Sequence, residues 1–594
     1  MSMKSETLDA MRHTLAHVLA SAVLELYPHA KPTLGPAIDT GFYYDFDFSG
    51  GEKPTEADLN KLEQKMREHL KRWVCIEGET VSLKVAKERF AKNPYKLELI
   101  DEIVSRKEPL TLYHSCRAGS GEGEKEILFT DLCRGGHTEH PSAEIPSGAF
   151  SLDRIAGAYW RGDEKNAMLT RIYGLAFASK EALESYVTQR EEAKKRDHRK
   201  LGKELDLFTF SELVGPGLPM WTPRGSVVRE ELDRFVWELR SVHSYSRVTI
   251  PHITKKDLYE TSGHWEKFAE ELFKVTTREG KLYALKPMNC PHHTQIFARR
   301  PHSYREMPQR YAETTMVYRD EQSGELGGLT RVLSITQDDS HVFCRTNQVK
   351  EEFMKIWDIV DTLYTTFNFS LRVRLSFHEP SELAKYIGTK EVWQEAEQAL
   401  REIAKERQAD YFEAPGEAAM YGPKLDFMAT DSLGREHQVA TIQLDMNLPE
   451  RFDLACINEA GEKERIVMIH SAIMGSIERF TAVLLEHLGG LLPMWLAPEQ
   501  VRILPVGDAH HVAAYALYDT LHAAGVRTQV VTADSLGKRI RAVKQERVPG
   551  YLVLGDAEVN GEKVKLELRD GNVRELPKAS LAEVLARECS ARAL

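Results

Sequence analysis

The chain has 594 residues, 42% of them hydrophobic and 28% charged, which is the composition of an ordinary globular protein and excludes a disordered or fibrous one. With 79 basic and 90 acidic residues the formal net charge is −11, so no global basic footprint announces nucleic acid, although local patches on an acidic body are compatible with it. One core cannot serve so long a chain, and length alone predicts roughly three or four domains.

Residues 10–26 have helical apolar spacing, and His13 and His17, four apart, fall on one face of that helix. The front MSMKSETLDAMRHT has no apolar h-region, and no run of ~20 apolar residues follows anywhere. Seven cysteines without a CxxC pair do not form a disulfide framework. The expected setting is therefore the reduced cytoplasm, with no membrane partner. GFYYDFDF (41–48) alternates like a strand, and Cys133 and His137 stand in a glycine-containing loop, DLCRGGH. By spacing alone, His13, His17, Cys133 and His137 read as a zinc site.

The polar stretch 179–205 reads as one exposed helix joining two domains. It carries a basic patch, Lys194, Lys195, Arg196, Arg199, Lys200 and Lys203, which taken alone is a solvated helix face. An amphipathic helix is expected over 221–242, followed by a strand over 246–250 ending at Pro251. From there to about 490, strands alternate with loops and a few helices, suggesting a mostly antiparallel sheet. Beyond Pro493 the pattern changes: buried-type strands 501–507, 528–533 and 550–555 are separated by helices 510–524 and 535–546. That βαβαβ order implies a small α/β domain with parallel neighbours, closed by a strand at 563–571 and a helix at 580–591. A second basic patch, Lys538, Arg539, Arg541, Lys544 and Arg547, lies in it.

Three soft-metal ligands are scattered over the middle: Cys290 in KPMNCPHH, His341 in TQDDSHVF and His470 in VMIHSAIMGSIER. Each alone is most simply a core residue, but together they offer three protein ligands and leave coordination positions open, as a catalytic or substrate-binding zinc does. Beside them stand segments suited to adenylation, in which a carboxylate attacks the α-phosphorus of ATP and diphosphate leaves. Charge then builds on phosphate oxygens, and arginine forks and Mg²⁺ are its natural stabilisers. YRDE places Arg319 and Glu321 two apart, on one face of a strand. The glycine-rich GELGGL follows, then a returning strand from near Arg331, and Arg479 closes GSIER, whose Gly-Ser start suggests a helix N-terminus.

On these motifs the chain resembles the bacterial-type threonyl-tRNA synthetases, class II aminoacyl-tRNA synthetases, along nearly its whole length. Pro251 after its helix is similar to the family's first motif, the YRDE-to-TQDDSH segment to its second, and GSIER to its third. KPMNCP, TQDD-x-H, MYGPK and KRDHRKLGKELDLF are particular to the threonyl branch. The small ubiquitin-like first domain usual in the family finds no counterpart at the front. The resemblance implies an α+β multidomain fold. An N-terminal α+β editing domain (1–178) and a linker helix (179–205) would precede a class II antiparallel-sheet catalytic domain (206–492) and a C-terminal α/β anticodon-binding domain (493–594). It also implies a homodimer through the helix before Pro251 and the strand that follows it.

The resemblance further implies site roles. Cys290, His341 and His470 would bind Zn²⁺, which holds threonine by its amino group and hydroxyl and so rejects valine. Asp339 would accept the hydroxyl proton, with Gln337, Tyr421 and Gln443 lining the pocket. Arg319 would contact the carboxylate and α-phosphate, Arg479 the adenine and γ-phosphate, and Glu321 the adenine amino group. Arg331, Lys424, Gln438, Thr441 and Mg²⁺ would complete the ATP site. Serine differs from threonine by one methyl, worth about 1–3 kcal/mol, so a hydrolytic second sieve against Ser-tRNA(Thr) is expected. In the family the His13, His17, Cys133, His137 constellation looks like that editing site, working with an ordered water and no metal, with Tyr44, Lys96 and Asp131 positioning serine and water.

Some positions depart from the family pattern. Ile335 replaces an aromatic on the adenine, Leu333 and Ser471 stand where basic residues often occur, NCPHH replaces NCPGH, and Glu567 stands where an anticodon-reading arginine is common. Two other readings are a prolyl- or seryl-type synthetase, against which the metal trio beside TQDD argues, and a non-catalytic tRNA-binding paralogue.

Overall fold

Met11, Leu15, Val18, Leu19, Ala22 and Val23 form one buried stripe on the helix Ser5–Leu26, and the helix lays it against Phe42, Tyr44 and Phe46 of the strand Gly41–Asp47. Both 10–26 and 41–48 are thus close to their expected bounds. The computed structural model describes residues 5–119 and 124–592, in two compact units, Met1–Glu191 and Glu192–Leu594. In the first unit, Gly41–Asp47 pairs with Met168–Ala176, and that strand with Phe150–Tyr159, in a five-stranded sheet. A second sheet runs Cys75–Thr80, Thr111–Ala118, Lys125–Leu132.

Cys75 and Cys116 lie opposite each other in that second sheet, Cα atoms 5.3 Å apart, and form a disulfide. This differs from the expectation of reduced cysteines. The pair is 41 residues apart in sequence, and only antiparallel register makes its thiols neighbours. The stretch 179–205 is also not one helix. Lys180–Lys195 ends, and Asp197 caps a new helix, His198–Glu204, by accepting from the Arg199 N–H.

The second unit is built on an eight-stranded sheet in the order Ser246–Arg247, Gln309–Tyr318, Ser334–Cys344, Val467–Ser476, Glu436–Asp445, Lys424–Thr430, Ser370–Phe377, Tyr411–Pro415. It is antiparallel except at its two edge pairings. Helix Val349–Thr366 repeats Phe353, Ile356, Trp357, Val360, Leu363 and Tyr364 at helical spacing and buries them on one sheet face. Helices Pro223–Ser241 and Ile477–Leu488 complete that core, and the opposite face is left for the site.

Two strands, Ser334–Cys344 and Val467–Ser476, are tied to each other and to two helices by buried polar groups. The Asp338 carboxylate accepts from the N–H groups of Ile473 and Met474 and from Arg240 of helix Pro223–Ser241. Glu478 accepts from the Thr336 N–H and from Ser476. Arg240→Met leaves the Asp338 charge buried without its counter-charge. It is expected to cost about 3–5 kcal/mol, read as a lowered unfolding temperature of the second unit.

The C-terminal sheet orders Thr528–Val530, Val501–Pro505, Gly550–Leu554, Lys563–Leu568, Val573–Pro577. Its first three strands are parallel, as expected, and the last two are antiparallel. The segment read as one final strand, 563–571, is a hairpin turning at Asp570-Gly571. Among the described residues, no helix is long and apolar enough to cross a membrane.

Candidate functional site

Register assembles the site. Tyr311 faces His341, His341 faces His470, His470 faces Gln443, and Gln443 faces Lys424, so five strands contribute one row to one sheet face. Two residues along, Asp339, Ala472, Thr441 and Asp426 make the next row. Cys290 opens the helix Cys290–Ala298 and comes down onto the first row. Its sulfur and the nearer nitrogens of His341 and His470 lie within 4.8 Å of one another, all buried.

The surroundings of these three donors suit a soft divalent metal. His470 donates from Nε2 to the Asp445 carboxylate at 2.8 Å, which leaves the Nδ1 lone pair free. Nδ1 of His341 lies 2.8 Å from Nδ1 of the buried His293, which leaves Nε2 free. Burial holds the His341 imidazole well below its ordinary value and so neutral, and raises the Cys290 thiol well above its own. His264 is a further neighbour, its Nε2 3.9 Å from the sulfur. Asp445→Asn removes the anchoring charge, and metal is expected to be held about 10–100-fold less tightly, measured as competition against a chelator.

The metal-ligand candidates open on a cavity of about 170 Å³, amino-acid sized. Arg319, Gln337, Asp339, Tyr421, Lys424, Thr441 and Gln443 line it. Asp339 accepts from Asn289 at 3.0 Å and lies 3.8 Å from Nε2 of His341; burial raises its carboxyl. The Tyr421 ring stacks on His470, and its hydroxyl donates to Gln443 at 2.7 Å. Arg319 Nε is buried and has no hydrogen-bond partner among the described residues, so its N–H remains available to an anion.

Glu321, Arg331, Gln438 and Arg479 are not in that lining. Arg319 and Glu321 are also not on a strand. The strand stops at Tyr318, Asp320 N–H turns away to the Glu271 carbonyl, and the Glu321 N–H folds back on the Arg319 carbonyl. Glu321 instead pairs with Arg331 at 2.6 Å, and Glu325 joins at 3.1 Å. The returning strand begins at Ser334 rather than near 331. Arg479 sits in the first turn of Ile477–Leu488, capped by Ser476 as GSIER suggested, and is exposed.

Sequence reasoning missed Asp426, which is fully buried. It accepts from Gln438, Thr441, Ser376 and Arg374 at 2.7–3.0 Å, with Lys424 at 3.4 Å. It also missed Asp445 and His293. The signal was present for both acids: each stands two residues after a predicted pocket residue, Lys424 or Gln443, and so shares its face. The departures are accommodated: the Ser471 hydroxyl bonds Ser340 at 2.7 Å, and Glu567 accepts from Tyr551 at 2.5 Å.

The first unit gathers His13, His17, Tyr44, Lys96, Asp131 and Cys133 around a cavity of about 500 Å³, and His137, outside that lining, packs against Cys133 and the two histidines. Cys133 Sγ lies 3.4 Å from His13 Nε2 and 3.3 Å from His137 Nε2. Asp131 accepts from Tyr44 and pairs with Lys96, both at 2.5 Å, and His17 Nε2 is 3.8 Å away. The turn needs its glycines: Gly135 and Gly136 have φ of +97° and +81°, and a Cβ on Gly135 would fall 2.3 Å from the Tyr113 hydroxyl. Burial lowers His13, His17 and His137 and pushes Cys133 up to about 11, so the imidazoles are neutral and the thiol keeps its proton. The tetrad is compact enough for a metal as well.

Comparison with known proteins identifies the family. Residues 273–488 match the class II core domain model of the Gly, His, Pro, Ser and Thr tRNA synthetases, and residues 500–588 match an anticodon binding domain. A threonine–tRNA ligase of Synechocystis sp. is 44% identical over 593 residues, covering 98% of this chain and 96% of that protein. One of Gloeobacter violaceus is 46% identical, covering 95% and 89%. Among solved structures, the RNA binding domain of a threonyl-tRNA synthetase from Cryptosporidium parvum is 37% identical with a TM-score of 0.63, over 67% of this chain and 98% of that one. A Giardia lamblia prolyl-tRNA synthetase, 17% identical with a TM-score of 0.52 over 68% of this chain and 80% of that one, shares the fold alone. With a class II core, an anticodon-binding domain and end-to-end identity of this order, the chain belongs to the threonine–tRNA ligase family.

Proposed function

We propose that this enzyme condenses threonine with ATP to threonyl-adenylate, releasing diphosphate, and transfers the threonyl group to the terminal ribose of tRNA(Thr). The observation that most supports it is the meeting of Cys290, His341 and His470 with the unpartnered Arg319 in one amino-acid-sized cavity. Cys290, His341 and His470 fit a Zn²⁺ that, when bound, supplies open positions for the amino and hydroxyl groups of threonine. Valine has no oxygen to offer there. Asp339 then accepts from the hydroxyl, while Gln337, Tyr421 and Gln443 close around the side chain. Arg319 holds the carboxylate and α-phosphate side by side, which orients the attack and neutralises charge as it develops. Glu321, Arg331, Lys424, Gln438, Thr441 and Arg479 hold ATP with Mg²⁺, Asp426 fixing three of these side chains through its hydrogen bonds or ion pair.

In the first unit, the cavity of Tyr44, Lys96, Asp131 and the His/Cys tetrad takes the seryl end of Ser-tRNA(Thr). Neutral His13, beside the protonated Cys133, holds the hydrolytic water as its base, and Lys96 and Tyr44 hold the substrate. The Lys96 ammonium next to the tetrad favours water over a second cation. A homodimer through helix Pro223–Ser241 and strand Ser246–Arg247 is part of the proposal, as is a cytoplasmic location. Domain limits of 1–178, 179–205, 206–492 and 493–594 go with it.

The test is amino-acid-dependent ATP–diphosphate exchange with threonine, serine and valine, with and without a zinc chelator. Strong exchange with threonine, weaker with serine, none with valine, and loss of all on chelation is the expected pattern. Exchange with none of the three would overturn the catalytic reading.

A further inference from the structure

His198 belongs to none of the sites above, yet it is buried to 5% exposure and its N–H and both ring nitrogens are engaged. It opens the short helix His198–Glu204, in the segment KRDHRKLGKELDLF. Its backbone N–H and its Nδ1 both meet one carboxylate oxygen of Glu486, at 3.1 and 2.7 Å. Glu486 is held in turn by Arg435 at 2.7 Å, near the end of helix Ile477–Leu488. Nδ1 facing a carboxylate carries the proton, which leaves Nε2 an acceptor. That acceptor takes the backbone N–H of Leu329 at 3.1 Å.

Leu329 is fully buried and lies in the loop between strands Gln309–Tyr318 and Ser334–Cys344. Gly328 beside it has φ +57°, and a Cβ there would fall 2.4 Å from His198 Nε2. The loop therefore rests directly on the imidazole. Leu329 also packs its side chain into the main core, and the loop's base is held where Arg319 N–H bonds the Leu333 carbonyl and Leu333 N–H bonds the Gly217 carbonyl. Between base and tip stands Arg331, exposed and paired only with loop acids. Apolar packing of Leu329 is non-directional, so without the bond to His198 the 15-residue connection from Arg319 to Leu333 would hold Arg331 less closely in place.

We infer that His198 is a positioning residue for ATP binding: it pins the tip of the 319–333 loop to the helix of Arg479, so that Arg319, Glu321 and Arg331 present themselves together to the nucleotide. The inference rests on the reading that this loop holds ATP. It assigns His198 no contact with substrate.

The test is steady-state ATP–diphosphate exchange on the full-length enzyme, normalised to active sites counted by adenylate burst. His198→Ala removes one buried hydrogen bond on each side, and the KM for ATP is expected to rise about tenfold, with the KM for threonine changed by less than about twofold. His198→Gln, whose amide offers a donor and an acceptor, is expected to recover most of the loss. A purely structural role would lower the count of active sites but leave the KM for ATP unchanged, and that result overturns the inference. Equal rises in both KM values would overturn it as well. A measurement without any variant stands beside it: the Leu329 amide of the wild-type enzyme without ATP should exchange its hydrogen slowly, and rapid exchange refutes the contact. Arg319→Ala separates the underlying reading. If that variant keeps full exchange, the loop does not hold ATP and the reading of the site fails, independently of His198.

Discussion

Cys290→Ala is expected to lower threonine-dependent ATP–diphosphate exchange by roughly a hundredfold or more while leaving ATP binding nearly intact. The sulfur is one of three donors, and two imidazoles alone hold a divalent metal far less firmly. Losing the metal's contact with the amino and hydroxyl groups removes about 3 kcal/mol or more of transition-state stabilisation. ATP is held by other residues, so its affinity, measured by equilibrium dialysis without threonine, should change little. Metal content measured in the same samples ties the two effects together. Near-normal exchange in a metal-free variant would sink the role given to the trio.

His13→Ala combined with Cys133→Ala is expected to slow deacylation of Ser-tRNA(Thr) by about 10²–10⁴-fold, the range of a lost general base. Threonine charging should be unaffected, and Ser-tRNA(Thr) should accumulate when serine is supplied. The wild-type pH profile carries a sign. Burial lowers the His13 imidazole from its ordinary 6.5, so the neutral base persists as pH falls through that value. Deacylation should hold its rate below pH 6.5 and decline only further into acid. A profile that halves at 6.5 would point to a solvated histidine, and unchanged deacylation in the double variant would remove the site altogether.

The candidate ligands and pocket residues that the structure brings together were legible because they sit in compact motifs whose chemistry is particular: a cysteine in NCP, histidines after TQDD and before the GSIER helix, HxxxH with CxxxH. The residues that orient them were not. Asp445, His293 and Asp426 act on partners 25, 48 and 15 residues away in sequence, a relation created by strand register for the two acids and by the docking of helix Cys290–Ala298 on the sheet for His293. The helix break at 196–197 was readable, since Asp197 followed by a basic helical run is an N-cap signal that a long polar stretch masked. The Asp570-Gly571 hairpin carried its own signature too, hidden by reading the strand through it. The place where Arg319 leaves the ladder was not readable, because it depends on Asp320 finding a carbonyl 49 residues upstream. The Cys75–Cys116 bridge has the same character.

The cross-strand row that joins His341, His470, Gln443 and Lys424 has a consequence for how the protein is made. Its members come from strands as distant as Ser334–Cys344 and Val467–Ser476, and no shorter piece of chain contains them all. During synthesis the three donors proposed for zinc are incomplete until residue 470 has left the ribosome. A one-residue slip of that last strand would present Ser471 in place of His470 and turn the imidazole to the other face. On the proposed reading, metal uptake would thus be a late event that reports correct strand alignment. An ion bound there would stabilise the aligned sheet over every slipped one in proportion to its affinity for three ligands rather than two.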